Sequence, residues 1–191
     1  ISKNDFYKFY NEAKYDVKKN LGKTASSHSR LLYFQRLIEL LGYKAQLLLA
    51  LDFEQTFWRT FLANAPLFSG VKETLVFFKK FNIPIAIITD LTAQIQLRKL
   101  TYFGLEDIFD AVVTSEEVGM DKPDKRIFLQ VLNKLNLLDN SYFWMVGDNP
   151  IADIYGAKQL NSTTFQKIHN KVSIGVGKYR PDYVFTDYYD F

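Results

Sequence analysis

The apolar positions change rhythm once along the chain, and that change divides it. Through "DFYKFYNEAKYDVKKNL", Phe6, Phe9, Tyr10, Ala13, Val17 and Leu21 recur at helical spacing with polar residues between them. Gly22 follows where a helix C-terminus favours glycine. The same spacing predicts a second helix over residues 29–41, stopped by Gly42, and a third over residues 44–63, stopped by Pro66. No strand pattern occurs before residue 70. Residues 1–65 are therefore expected to form an all-α unit, with the boundary falling between Asn64 and Gly70.

From "PLFSG" onward, apolar runs of strand length alternate with amphipathic helices. "IPIAIITD", "DAVVTSEE", "SYFWMVGD", "STTFQK" and "PDYVFTD" read as strands. "LTAQIQLRKLTYFG", "DKRIFLQVLNKLN" and "PIADIYGAKQL" read as the helices between them, with Asp124 placed to cap the second and Pro150 in the first turn of the third. Such alternation predicts an α/β fold over residues 66–191: a Rossmann-like parallel sheet with helices on both faces. The strands are nearly all apolar, as strands buried on both faces should be.

Composition narrows the function classes. With 191 residues, 48% of them hydrophobic and rich in aromatics (Phe 17, Tyr 12), the chain can build a sizeable core. Its net charge of +3 is interleaved, and no lysine or arginine block reads as a nucleic-acid footprint. There is no cysteine, hence no disulfide framework and no thiolate chemistry. No apolar run approaches the ~20 residues of a membrane span, and no signal peptide is apparent. The expectation is a cytoplasmic protein with no nucleic-acid or membrane partner.

In open parallel sheets, ligands bind beyond the carboxyl ends of the strands. Those ends carry Thr89-Asp90, then Ser115-Glu116-Glu117 and "GMDKPD" with Lys122, then Gly147-Asp148-Asn149 and Asp153. Singly, each is an ordinary turn or cap residue. In sequence along successive strand ends they assemble a hydroxyl, a cation, two acids and helix-start amides. That set suits phosphate: amides favour anions, Lys122 supplies charge, Thr89 a hydroxyl, and Asp148 with Asp153 could hold Mg²⁺.

"IITD", "GMDKPDKRIF" and "MVGDNPIADIYGAKQ", in this order, resemble the second, third and fourth motifs of the haloacid dehalogenase superfamily. The most specific piece is Gly-Asp-x-x-x-x-Asp with its following Gly-Ala, and Lys-Pro-Asp-x-x-x-Phe comes next. The helical first part resembles the helical cap of many members. The resemblance implies that Thr89 and the Asp90 backbone N–H bind a transferring phosphoryl group. Lys122 would neutralise it. Asp148 would bind Mg²⁺, with Asp153 binding it or orienting its water. Many members carry Asn or Ser where Asp90 stands, so only its backbone is carried over.

The resemblance also implies a nucleophile in a D-x-D motif ending a first, central strand, and no D-x-D occurs in residues 1–191. Asp187 and Asp190 near the end have the wrong spacing and belong to the last strand. The chain begins with Ile1, inside the expected cap. The expectation is thus a core lacking its central strand, with roughly 20–50 residues missing upstream as judged from common element lengths. A separate N-terminal segment of the same protein could supply that strand.

Other signals carry less. "GKT" at residues 22–24 lacks the glycine of a Walker loop, since Val17 stands there. Arg30 is the candidate cap residue for touching substrate. His28 and His169 have no second His or acid at metal-ligand spacing and are expected to be structural or surface residues. The reading is a Mg²⁺-dependent phosphatase acting on a small phosphorylated substrate, such as a sugar or nucleotide phosphate. The fragment alone is expected to be inactive. The rivals are a dehalogenase, which Asp153 argues against, a sugar-phosphate mutase, and a non-catalytic binding or scaffold protein.

Overall fold

In the computed structural model, residues 1–190 are described; residue 191, the last of the expected core, lies outside them. The chain divides into two compact units, Ile1–Pro66 and Leu67–Phe191.

The first unit is helical. Helix α1 spans Lys3–Leu21, capped by Ser2, whose hydroxyl accepts from the Asp5 N–H at 3.1 Å. A 3₁₀ turn over Ala25–His28 leads into α2, Arg30–Leu40, capped in the same way by Ser29. Helix α3 runs Leu47–Asn64, starting later than the pattern predicts; Gln46 offers no side-chain cap, and Leu47 and Leu48 stay exposed. Buried Ala13, Phe34 and Leu37 form the core, with Phe6, Phe9, Tyr10, Phe53 and Phe57 packed around it. Phe34 lies 5.6 Å from Tyr10 and 5.5 Å from Phe53, both rings tilted, as aromatic quadrupoles prefer.

The second unit opens with a helix that the sequence pattern did not single out: α4, Val71–Lys80, none of whose residues is buried. Then come β1 (Ala86–Thr89), α5 (Ala93–Tyr102), β2 (Ala111–Thr114) and a single turn α6 (Ser115–Val118). Next are α7 (Lys125–Lys134), β3 (Phe143–Gly147), a π turn over Pro150–Tyr155 and a short α8 (Gly156–Lys158). Strands β4 (Ser162–Lys167) and β5 (Tyr183–Phe185) complete it. Asp124 caps α7 as expected, accepting from the Arg126 N–H at 3.0 Å.

All strand pairs are parallel, but they form two sheets, β1-β2 and β3-β4-β5. Among the described residues, β1 and β3 exchange no ladder hydrogen bonds. Helix α7 joins the two sheets from one side. Its Ile127, Phe128 and Val131 pack with Val113 of β2 and Ala157 of α8, against Ala86 and Ile88 of β1 and Phe143 and Met145 of β3.

Three expectations need correction. "TSEE" does not continue β2, because the Thr114 hydroxyl caps α6 instead, accepting from the Glu117 N–H at 3.2 Å. "PIADIY" is a π turn rather than an α-helix. Only β2 is mostly buried: every residue of β1 is half-buried and Trp144 of β3 is 54% exposed. β2 is the better covered because its Val113 lies in the buried cluster with Ile127, Phe128 and Val131 of α7, whereas Ala86 and Ile88 of β1 and Phe143 and Met145 of β3 are only partly buried against it.

Candidate active site

The register brings the strand ends level. Thr89 ends β1 opposite Thr114 of β2, and Gly147 ends β3 opposite Gln166 of β4. The loops that follow carry the polar side chains, and three of them meet. The Lys122 ammonium donates to Asp153 Oδ1 at 2.7 Å and approaches the Ile88 carbonyl at 3.4 Å. The Lys122 backbone N–H donates to Asp90 Oδ1 at 2.9 Å, and the Ser115 hydroxyl reaches the same oxygen at 3.5 Å. The Lys122–Pro123 peptide bond is cis.

Lys122 and Asp153 are an inside pair, with side chains 12% and 6% exposed. Burial pushes the Lys122 ammonium down, but Asp153, Asp90 and Asp148 outweigh it and hold its pKa above the ordinary lysine value. The lysine is therefore charged throughout the neutral range. Removing either partner would leave an uncompensated buried charge, which costs far more than a surface pair is worth.

Glycine makes room for this pair. A Cβ on Gly147 would fall on the Asp153 side chain, so the carboxylate lies directly against the end of β3. A Cβ on Gly156 would come within 2.6 Å of the Phe128 ring and 3.2 Å of Pro123 Cα, so α8 packs hard against α7 and the lysine loop. The π turn is set by its first residues. Asn149 Oδ1 accepts from the Ile151 and Ala152 N–H groups, both at 3.0 Å, while Asp153 Oδ2 accepts back from the Asn149 N–H at 3.0 Å.

Asp148 differs from Asp153. Its side chain is 51% exposed, and one oxygen, Oδ2, lies 3.0 Å from His169 Nε2. The Gln166 amide fixes its backbone carbonyl at 3.1 Å. His169 is thus a site residue that sequence spacing missed: its acid stands 21 positions away, on a different strand end. His28 lies in the helical unit.

Thr89 uses its hydroxyl oxygen to accept from the Leu91 N–H at 3.3 Å, turning the chain after β1. The carboxylate of Asp90, which the sequence left without a role, holds the lysine loop. Arg30 belongs to the helical unit. Its guanidinium donates to the His28 carbonyl at 2.8 Å and lies 5.2 Å from the Tyr33 and Phe57 ring centres and 5.7 Å from that of Trp58.

Both oxygens of Asp153 are engaged, by Lys122 and by Asn149, which suits orientation of a neighbour better than direct ligation. Asp148 is the carboxylate open to a cation. Among the described residues, no group of three or more His, Cys, Asp or Glu is placed to hold a metal by itself. A cation here would have to be one that completes its shell with water and substrate oxygen. Mg²⁺ behaves in that way, so these residues fit it.

Residues 2–166 match the family model described as haloacid dehalogenase-like hydrolase. A ribulose-1,5-bisphosphate 5-phosphatase of Halopiger xanaduensis is 39% identical over 159 residues, covering 83% of this chain and 66% of that protein. A glyceraldehyde 3-phosphate phosphatase of Pyrococcus furiosus is 33% identical over 130 residues, 67% of this chain and 52% of that one. The chain thus spans between about half and two thirds of the length of these relatives. Among solved structures, a 2-haloacid dehalogenase from Pseudomonas syringae pv. Tomato DC3000 superposes with a TM-score of 0.74 at 21% identity, covering 98% of this chain and 78% of that one. That likeness establishes the fold and leaves the reaction open.

Proposed function

The chain belongs to the haloacid dehalogenase-like hydrolases, and from that membership we propose that it is the larger part of a Mg²⁺-dependent phosphatase acting on a small phosphate monoester. The named activities of the relatives, which act on ribulose-1,5-bisphosphate and glyceraldehyde 3-phosphate, favour a phosphorylated carbohydrate over a nucleotide. The observation that carries this reading is the buried Lys122–Asp153 pair at the strand ends beside the exposed Asp148.

An ammonium has three N–H donors. Lys122 gives one to Asp153 and one, at longer range, to the Ile88 carbonyl, which leaves one for a phosphoryl oxygen. Asp153 fixes the ammonium, and Asp90 fixes the loop that carries it. Thr89 can still donate its hydroxyl hydrogen while its oxygen accepts from Leu91. Asp148 would hold Mg²⁺, which when bound would neutralise charge on the phosphoryl oxygens. Fixed positive charge aimed at developing negative charge is commonly the largest contribution such sites make to rate.

The nucleophile is proposed to be an aspartate on a strand that is not among residues 1–191, seated between β1 and β3. The division of the sheets at that place supports it, as does the cost of leaving buried backbone groups unpaired. Its carboxylate oxygen would attack phosphorus as the ester oxygen leaves with the electron pair and takes a proton from the second aspartate of the implied D-x-D motif. That aspartate would take the proton back from the water that cleaves the aspartyl-phosphate, restoring the carboxylate and releasing phosphate. Arg30 is proposed as a substrate contact of the helical unit through the guanidinium N–H groups that His28 does not use.

The test is release of inorganic phosphate from an aryl phosphate and from sugar phosphates by the full-length protein, with and without Mg²⁺. Turnover that needs Mg²⁺ and falls by at least ~100-fold in Asp148→Asn supports the reading. Phosphate moved within the sugar but not released would mean a mutase. No turnover in any condition would leave a binding protein.

A further inference from the structure

His169 sits where no motif placed it, yet three contacts hold it there. Its Nε2 faces Asp148 Oδ2 at 3.0 Å. An ionised carboxylate only accepts hydrogen bonds, so Nε2 is the donor in this contact. Nδ1 lies 3.0 Å from the Asn170 carbonyl, which brackets the ring from its other edge. The Phe68 ring packs on the imidazole with centroids 5.4 Å apart. Phe68 in turn is held from beneath by the Lys167 ammonium, 4.4 Å from its ring centre.

Lys167 is itself an unusual residue to bury. It is 5% exposed, and it donates to neutral oxygens: the Ile168 and Thr186 carbonyls, both at 2.8 Å. These tie the end of β4 to the end of β5. A buried ammonium is costly unless its donors are satisfied, and here two carbonyls and the Phe68 and Phe185 ring faces satisfy it. The result is a stack, Lys167–Phe68–His169, that ends on one oxygen of Asp148. Tyr188 packs beside Phe68 at 6.5 Å, and burial together with the Asp148 charge raises its pKa.

A half-exposed carboxylate on a loop would otherwise rotate among several orientations. We propose that His169 is a positioning residue: it holds Asp148 Oδ2 so that the other oxygen is presented to the cation. This inference rests on the reading of Asp148 as a Mg²⁺ ligand. It assigns His169 no contact with substrate. Partners that orient a ligating side chain typically change metal affinity by ~10–100-fold when removed.

The experiment is calorimetric titration of the full-length protein with Mg²⁺ alone, without substrate, for the wild type, His169→Ala, His169→Gln and Asp148→Asn. Thermal melts with and without Mg²⁺ confirm that each variant is folded. His169→Ala should raise the Mg²⁺ dissociation constant at least ~10-fold, with little change in the melt measured without metal. His169→Gln places an amide N–H near the position of Nε2 and should recover most of the affinity. An alanine variant within twofold of wild type, or a glutamine variant no better than alanine, overturns the positioning role while leaving Asp148 as ligand. Wild-type Mg²⁺ binding that is absent, or that survives Asp148→Asn unchanged, overturns the metal reading and this inference together.

Discussion

The two units solve burial in opposite ways. The helical unit closes on aromatic carbon: Phe34 and Leu37 are inside, ringed by Phe6, Tyr10, Phe53 and Phe57, and half-buried Arg30 lies against the Tyr33 and Phe57 rings. The α/β unit takes charge inside. Lys122, Asp153 and Lys167 are all nearly buried, while apolar Val76, Phe77, Phe81 and Trp144 stay exposed. A core of rings needs only shape and volume. A core holding ions needs every partner in place, and such an expense of stability is usual where chemistry is done.

The contrast predicts that similar-sized changes will have unequal effects. Asp153→Asn alters no volume, yet it removes the charge that compensates Lys122. It is expected to destabilise by about 3–5 kcal/mol, read as a lower denaturation midpoint at unchanged slope, and to abolish phosphate release. A loss below about 1 kcal/mol would mean that the pair behaves as a solvated one, and the contrast would fail.

Gly147→Ala comes next. Its Cβ would occupy the space of the Asp153 side chain, so the carboxylate has to move or β3 has to shift. Overpacking of this kind costs about 1–3 kcal/mol. Activity should fall more than stability does, because the displaced carboxylate is the one that holds Lys122. Equal activity in a folded Gly147→Ala variant would show that the position of Asp153 is not critical.

In the helical unit, Phe34→Leu keeps the residue apolar and close in size. It should cost less than about 1.5 kcal/mol by chemical denaturation and leave Mg²⁺ affinity unchanged. A loss as large as that of Asp153→Asn would remove the distinction between the two cores.

How far these differences could be read in advance follows from their range along the chain. The three helices of the first unit are written in local periodicity, and Asp124 is a local helix cap, so they were legible; Ser2 and Ser29 are caps that the reading did not name. Thr89, Lys122, Asp148 and Asp153 were visible as strand-end residues because the alternation located the strand ends. The partners were not visible. Asp90 meets the Lys122 N–H across 32 positions and His169 meets Asp148 across 21, and nothing in the intervening sequence encodes either contact. The π turn was hidden for a different reason: local contacts of Asn149 with Ile151, Ala152 and Asp153 set it, while "PIADIYGAKQL" keeps an ordinary helical pattern. Helix α4 was not singled out, and it lies in the fold with none of its residues buried, Val76 and Phe77 among them.

The smallest expected effect lies at the surface of the α/β unit and sets the baseline for the charge that lies inside it. Asp124 caps α7 and pairs with Arg126 at 2.9 Å, with Arg126 more than half exposed. The side-chain hydrogen bonds from Arg126 hold the Asp124 carboxyl down at about 2, against 3.8 ordinarily. A carboxyl depressed in the folded state stabilises at pH values above its unfolded pKa, and that contribution is lost as pH falls through the window from about 4 to about 2. Solvent screens the pair, so Asp124→Ala should cost only about 1 kcal/mol near pH 7, most of it the lost cap. The difference between wild type and variant, followed by denaturation from pH 6 to pH 2.5, should shrink across the acid window and also shrink with added salt. A difference that is flat over that range would assign the whole effect to the neutral cap, with no part for the ion pair. In either case it should remain well below the Asp153→Asn loss, because a charge that water can reach is never left uncompensated.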